Sequence, residues 1–142
     1  MIGILIVSHG RLADALISSV QSLVGHLPKV RGVSIWPKDR EKEIKNKIQY
    51  KMAEVDDGDG VVILTDILGG TSTNTSLSLS RNKKVEVVTG VNIPMLLTLS
   101  SYRQGKSLIE IAKLVKKSGR RSITLAKKVI GSMGLKRREE TD

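Results

Sequence analysis

Two strand-length runs, MIGILIVS at 1–8 and VVILTD at 61–66, are apolar almost without interruption. A strand with one wet face alternates apolar with polar residues. A strand that does not alternate must be covered on both faces, as in a parallel sheet sandwiched between helices. VRGVSIW, closed by Pro37, reads as a weaker second strand and VEVVTG as a fourth. Helical patterns separate them. Leu12 to Val24 places Leu12, Leu16, Val20 and Leu23, with Ala13, Ile17 and Val24, on one face, and Gly25 sits where the helix stops. Asp39 is placed to cap a helix to about Val55, with Ile44, Ile48 and Met52 at steps of four. DDGDG is a turn cluster, and Pro94 suits the first turn of a helix through about Ser101. Ser107 and Glu110 form a capping box for a helix through Leu108, Ile111, Ala112 and Val115, ended by Gly119. RSITLA, Arg121 to Ala126, reads as a last strand. Strands alternating with helices predict an α/β fold of three layers: a doubly wound, mostly parallel sheet with helices on both faces.

The chain of 142 residues suits one domain, over 1–126, followed by a basic tail at 127–142 whose KRREETD end reads as disordered. No internal repeat is present. The formal net charge is +10, concentrated from Lys113 onward, where ten Lys/Arg face three Asp/Glu. A basic surface suits nucleic acid, anionic lipid or an acidic protein, or is simply solvated. With no Phe, one Trp and two Tyr, stacking platforms for bases and sugars are scarce. The absence of Cys excludes disulfides, thiolate metal sites and cysteine nucleophiles. No apolar run is long enough to cross a bilayer, and no signal-like segment precedes the first strand, so a cytoplasmic protein is expected.

Doubly wound sheets bind ligands at the carboxyl ends of their strands, where the winding reverses. Three strand ends carry chemistry: Ser8-His9-Gly10, then Thr65-Asp66 followed by Gly69-Gly70-Thr71-Ser72, then Thr89-Gly90 with Asn92. An imidazole at such an edge can be a general base, a metal ligand or a nucleophile. Asp66 can accept from its Nδ1–H and leave the Nε2 lone pair outward, or merely cap the next helix. Gly69, Gly70, Thr71 and Ser72 can hold phosphate oxygens at a helix start, or form a plain turn with hydroxyl caps. Arg11 can steer an anion beside His9 or be a solvated first-turn residue; His26, past a helix end, is given no function. Neither GxxxxGK[ST] nor GxGxxG occurs, and no carboxylate cluster for Mg²⁺ sits at this edge, which disfavours direct use of ATP. A histidine oriented by an aspartate beside an anion cradle, with no metal and no cofactor, points to a phosphohistidine.

On these residues the chain resembles the IIA component of the mannose-type bacterial phosphotransferase system. The resemblance runs from MIGILIVSHGRLADAL through DDGDGVVILTDILGGTSTN and VEVVTGVNIPMLL to GKSLIEIAKLVKKSG. It implies a homodimer in which the C-terminal strand, RSITLA, is exchanged. It implies that His9 takes phosphate from the histidine phosphocarrier HPr, with Asp66 orienting it and Gly69, Gly70 and Thr71 on the phosphate side. His9 would then pass the phosphate to a IIB component that phosphorylates sugar entering through membrane IIC/IID proteins. Ser72 stands where members often have proline, and Leu68 where an aromatic is frequent. The basic tail matches no IIB domain, which implies a stand-alone subunit.

Other readings compete. The same acceptor could serve regulation by reporting phosphotransferase flux. A phosphotransfer subunit of a dihydroxyacetone kinase shares this domain type but tends to lack the GG-hydroxyl loop in this form. A tetrapyrrole chelatase would need metal-binding side chains that only the remote His26 could supply. Nucleic acid is disfavoured as a partner by the scarcity of aromatics and the absence of a recognised motif.

Overall fold

The computed structural model describes residues 1–67, 69–81 and 84–131. The first apolar run becomes β1 (Gly3–His9), in which every residue but the last is buried. It is followed by α1 (Leu12–Val24), β2 (Val30–Ile35), α2 (Glu41–Val55), β3 (Val61–Thr65), α3 (Thr71–Ser80), β4 (Val85–Val88), α4 (Ile93–Tyr102) and α5 (Leu108–Arg121). The four strands form one all-parallel sheet in the order β2-β1-β3-β4. The chain winds outward from β1 to β2, then returns to add β3 on the other side. That reversal opens a crevice at the carboxyl ends of β1 and β3.

The pleat divides the core in two. Ile4 and Ile6 of β1 and Val62 and Leu64 of β3 face α1, α4 and α5, against residues such as Val20, Leu96, Leu99, Ile111 and Val115. Leu5, Val7, Val61 and Ile63 face the other way, against Ile44, Ile48, Met52 and Val55 of α2 and Leu79 of α3. Burial on both faces is the reason these strands carry no alternation. At the opposite edge of the sheet from the crevice, buried Arg103 donates to the carbonyls of Ile2 and Pro28 and ties the starts of β1 and β2 together. Among the described residues no helix is long and apolar enough to cross a membrane.

Several local expectations change. Asp39 does not cap α2; Arg40 holds the N-cap position, and the Asp39 carboxylate accepts from Trp36 N–H at 2.9 Å and from Lys47 Nζ at 3.1 Å. The apolar face of α1 is only partly used: Ala13 and Val20 are buried, while Leu12, Leu23 and Val24 are exposed. Gly119 does not end α5. It lies inside the helix, where a Cβ would stand 2.7 Å from Met95 Cγ, so its role is close helix packing. RSITLA is not a strand in this chain. Arg121 closes α5, Ser122 turns, Ile123 to Leu125 are irregular, and helix resumes at Ala126. Ile123 and Leu125 are exposed there, and no strand among the described residues pairs with them. Residues 127–131 of the expected tail are helical. Leu68 and the tail from 132 onward lie outside the described residues.

Candidate functional site

Because successive strand residues point to opposite faces, Ser8 and His9 do different work. Ser8 is fully buried, and its Oγ accepts from Ala13 N–H at 2.8 Å. That hydroxyl caps the start of α1, where the N-cap residue Arg11 supplies no side-chain cap. His9 projects the other way, with its ring about half exposed at 46 %. Gly10, at φ +60°, turns the chain out of the sheet while its N–H still donates to Ile35 O.

Asp66, just past the end of β3, holds the ring. Its Oδ2 accepts from His9 N–H at 2.8 Å and pairs with His9 Nδ1 at 2.7 Å. Its Oδ1 accepts from Ser72 Oγ at 2.7 Å and from Ile67 N–H at 2.9 Å. Burial works to raise the carboxyl pKa, but the His9 N–H, the Ser72 hydroxyl, the His9 ring and the Ile67 N–H outweigh it and hold it at about 2. The group is therefore ionised at neutral pH. An ionised Oδ2 can only accept, so Nδ1 carries the hydrogen and the neutral ring presents its lone pair at Nε2.

The third element is the start of α3. Gly69 (φ +79°) makes the turn, and Gly70 is the N-cap with no side chain bonding to the helix end. A Cβ on Gly70 would lie 3.6 Å from His9 Cε1 and 2.9 Å from Ile67 Cγ1, so bare backbone passes beside the imidazole. The uncapped N-terminus of a ten-residue helix thus opens next to His9, with backbone N–H groups and the positive end of the helix dipole available to an anion. The loop is braced from beneath: Thr73 Oγ1 is 2.6 Å from Thr65 Oγ1 and donates to Ile67 O at 2.6 Å.

The expected residues do not all meet in the expected way. His9, Asp66, Gly70 and Thr71 converge. Ser72 converges too, but its buried hydroxyl is spent on Asp66, so it positions the carboxylate and leaves only backbone to face an anion. Arg11 is exposed, and its side chain makes no hydrogen bond or ion pair among the described residues. The β4 end lies on the same edge, where Val91 N–H donates to Thr65 O at 2.9 Å, but Thr89, Gly90 and Asn92 line a separate cavity with Lys116, Gly119 and Arg120 of α5. His26 lies beyond the far end of α1. Sequence reading missed the other wall of the site. His9 and Thr71 line a groove of about 710 Å³ together with Trp36 and Pro37 after β2, Lys45 of α2 and Asn74 of α3. The only hint was Trp36 itself, a lone tryptophan just after a strand. Among the described residues no group of three or more His, Cys, Asp or Glu is placed to hold a metal ion.

Comparison with known proteins agrees with this fold. Residues 3–116 match the profile of EIIA-man, the PTS system fructose IIA component. The chain belongs to this family. It is 30 % identical over 128 residues to the PTS system mannose-specific EIIAB component of Escherichia coli K12, covering 89 % of this chain but only 40 % of that protein. A crystal structure of the phosphotransferase system component EIIA from Streptococcus agalactiae superposes with a TM-score of 0.82 at 29 % identity, covering 90 % of this chain and 99 % of that one. The PTS IIA protein associated with the fucose utilization operon of Streptococcus pneumoniae superposes at 0.77, also with 29 % identity, covering 90 % and 95 %. Membership in the family gives the chain a phosphoryl-transfer role as a IIA component of a sugar phosphotransferase system.

Proposed function

We propose that the chain is a phosphohistidine carrier that accepts a phosphoryl group from HPr on His9 and passes it to a IIB component for sugar uptake through IIC/IID proteins. The observation that carries this reading is the 2.7 Å pairing of His9 Nδ1 with an Asp66 carboxylate that is ionised at neutral pH. In the forward step the Nε2 lone pair attacks phosphorus in line, a new N–P bond forms, and the donor's N–P bond breaks with its electron pair returning to the donor imidazole. The ring of His9 then bears positive charge, which Asp66 stabilises at Nδ1–H. Backbone N–H groups of Gly70, Thr71 and Ser72 receive the phosphoryl oxygens at the start of α3, a reading supported by the N-cap beside the His9 ring that carries no side-chain cap. The group leaves by the reverse displacement onto a IIB nucleophile. The half-exposed ring and the open groove beside Trp36 suit exchange with protein partners. The exposed Ile123 and Leu125 suit cover by a second copy of the chain.

Incubation with enzyme I, HPr and labelled phosphoenolpyruvate tests the reading. An acid-labile, base-stable label that disappears in His9→Ala is expected. Equal labelling of His9→Ala overturns the site, and no labelling of the wild type overturns the carrier function.

A further inference from the structure

The mechanism leaves α5 unused. The helix is sharply two-sided. Leu108, Ile111, Ala112, Val115 and Gly119 are buried, and the outward stripe carries Lys113, Lys116, Lys117, Arg120 and Arg121, all exposed. These five side chains together line one surface depression of about 690 Å³ that no acidic residue enters. None of them makes an ion pair or side-chain hydrogen bond among the described residues; the sole acid on the helix is Glu110, in its first turn. Arg120 and Arg121 sit in the last turn, where they favour the negative end of the helix dipole. Lys113, Lys116 and Lys117 have no such internal role. Like charges on adjacent turns repel, so the stripe weakens the isolated helix slightly, and an external anion would relieve that repulsion.

We propose that this face of α5 docks on an anionic phospholipid surface. The row from Lys113 to Arg121 is straight and about 12 Å long, on the outside of a rigid helix, which matches a plane of headgroup phosphates. Exposed Ile109 lies on the same stripe and can enter the headgroup layer. Nucleic acid fits less well, since the face offers no aromatic side chain for stacking and no projecting element for a groove. The topology also suits a membrane partner. α5 covers the sheet face bearing Ile4 and Ile6, whereas His9 projects on the side of Leu5 and Val7. Docking through α5 therefore leaves the imidazole and its groove open to soluble carriers.

The test is co-sedimentation of the full chain with phosphatidylglycerol-containing vesicles and with pure phosphatidylcholine vesicles, across a salt titration. The expected result is binding to the anionic vesicles only, weakening as salt rises. Lys113→Gln/Lys116→Gln/Lys117→Gln should lower the partition coefficient on the order of 10²-fold, at about fivefold per charge. A control that removes the same charge from the α2 side, Lys38→Gln/Lys42→Gln/Lys51→Gln, should lower it far less. Circular dichroism melts confirm that both variants are folded. Equal losses in the two variants, binding to phosphatidylcholine, no binding to either vesicle, or displacement from anionic vesicles by stoichiometric RNA would each overturn the proposal.

Discussion

Replacing Asp66 by Asn removes one charge and leaves the side-chain shape, so its effect can be worked out from four hydrogen bonds. Both carboxylate oxygens accept twice. An amide offers one accepting oxygen and one donating nitrogen, so one pair of donors must lose its acceptor. Turning the NH₂ toward Ser72 is the cheaper choice, because that hydroxyl can rotate to accept while only Ile67 N–H goes unpaired. The His9 ring then keeps its tautomer but loses its counter-charge. Two unit charges about 4 Å apart near a protein surface interact by about 4 kcal/mol. The ring is about half exposed, so solvent screening reduces this to about 2 kcal/mol, or about 30-fold in rate. Looser orientation of the ring brings the expected loss to on the order of 10²–10³-fold. The assay is rapid-quench transfer of label from phosphorylated HPr, with thermal melting to show that the variant is folded. A folded Asp66→Asn protein that transfers within about threefold of wild type would refute the electrostatic role assigned to Asp66.

Three further outcomes follow from particular contacts. Asp66 is depressed to about 2 in the folded chain against 3.8 as its ordinary value; its contribution is complete above pH 4 and drains away as pH falls toward 2. It is worth about 1–2 kcal/mol after solvent screening, so the wild-type melting temperature should fall more steeply than that of Asp66→Asn over that window. Gly119→Ala should lower stability by about 1 kcal/mol or more, although alanine is the better helix former, because its Cβ would meet buried Met95; a rise in melting temperature would show that Met95 yields freely. Ser8→Ala should cost about 1 kcal/mol through loss of the α1 cap and leave the phosphorylation rate unchanged, and a slowed rate in a folded variant would place Ser8 in the chemistry instead.

What sequence made legible was whatever burial writes plainly. β1 and β3 are covered on both faces and advertise it by lacking alternation. α5 has a clean periodic stripe and a true Ser107 cap, which accepts from Glu110 N–H at 3.3 Å. His9 and Asp66 were recognisable because each closes such a strand. The body of α3 was not legible, because TSTNTSLSLS has no apolar stripe. The residues it buries are mostly hydroxyls, Ser72, Thr73, Thr75 and Ser76, of which Ser72, Thr73 and Ser76 offset their desolvation with hydrogen bonds rather than with periodicity. Asp39 and Gly119 misled for a related reason: the capping residue type was taken up by the turn at Trp36 and by Lys47, and the helix-breaking residue type by close packing on Met95. Convergence of β2's end with His9 needed the strand order, which no local pattern encodes.

The opposed directions of Ser8 and His9 make β1 act as a parity check. Slide the strand by one residue against β2 and β3, and the imidazole would enter the layer under α1 while the serine took its place at the crevice. Such a slip would strip α1 of its cap, bury a polar ring without a partner and erase the phosphorylation site in the same event. A folded but misregistered and silent population is thereby penalised on both sides of the sheet at once. The register of β1 thus couples a stabilising cap to the placement of the reactive ring, although the two side chains have separate partners.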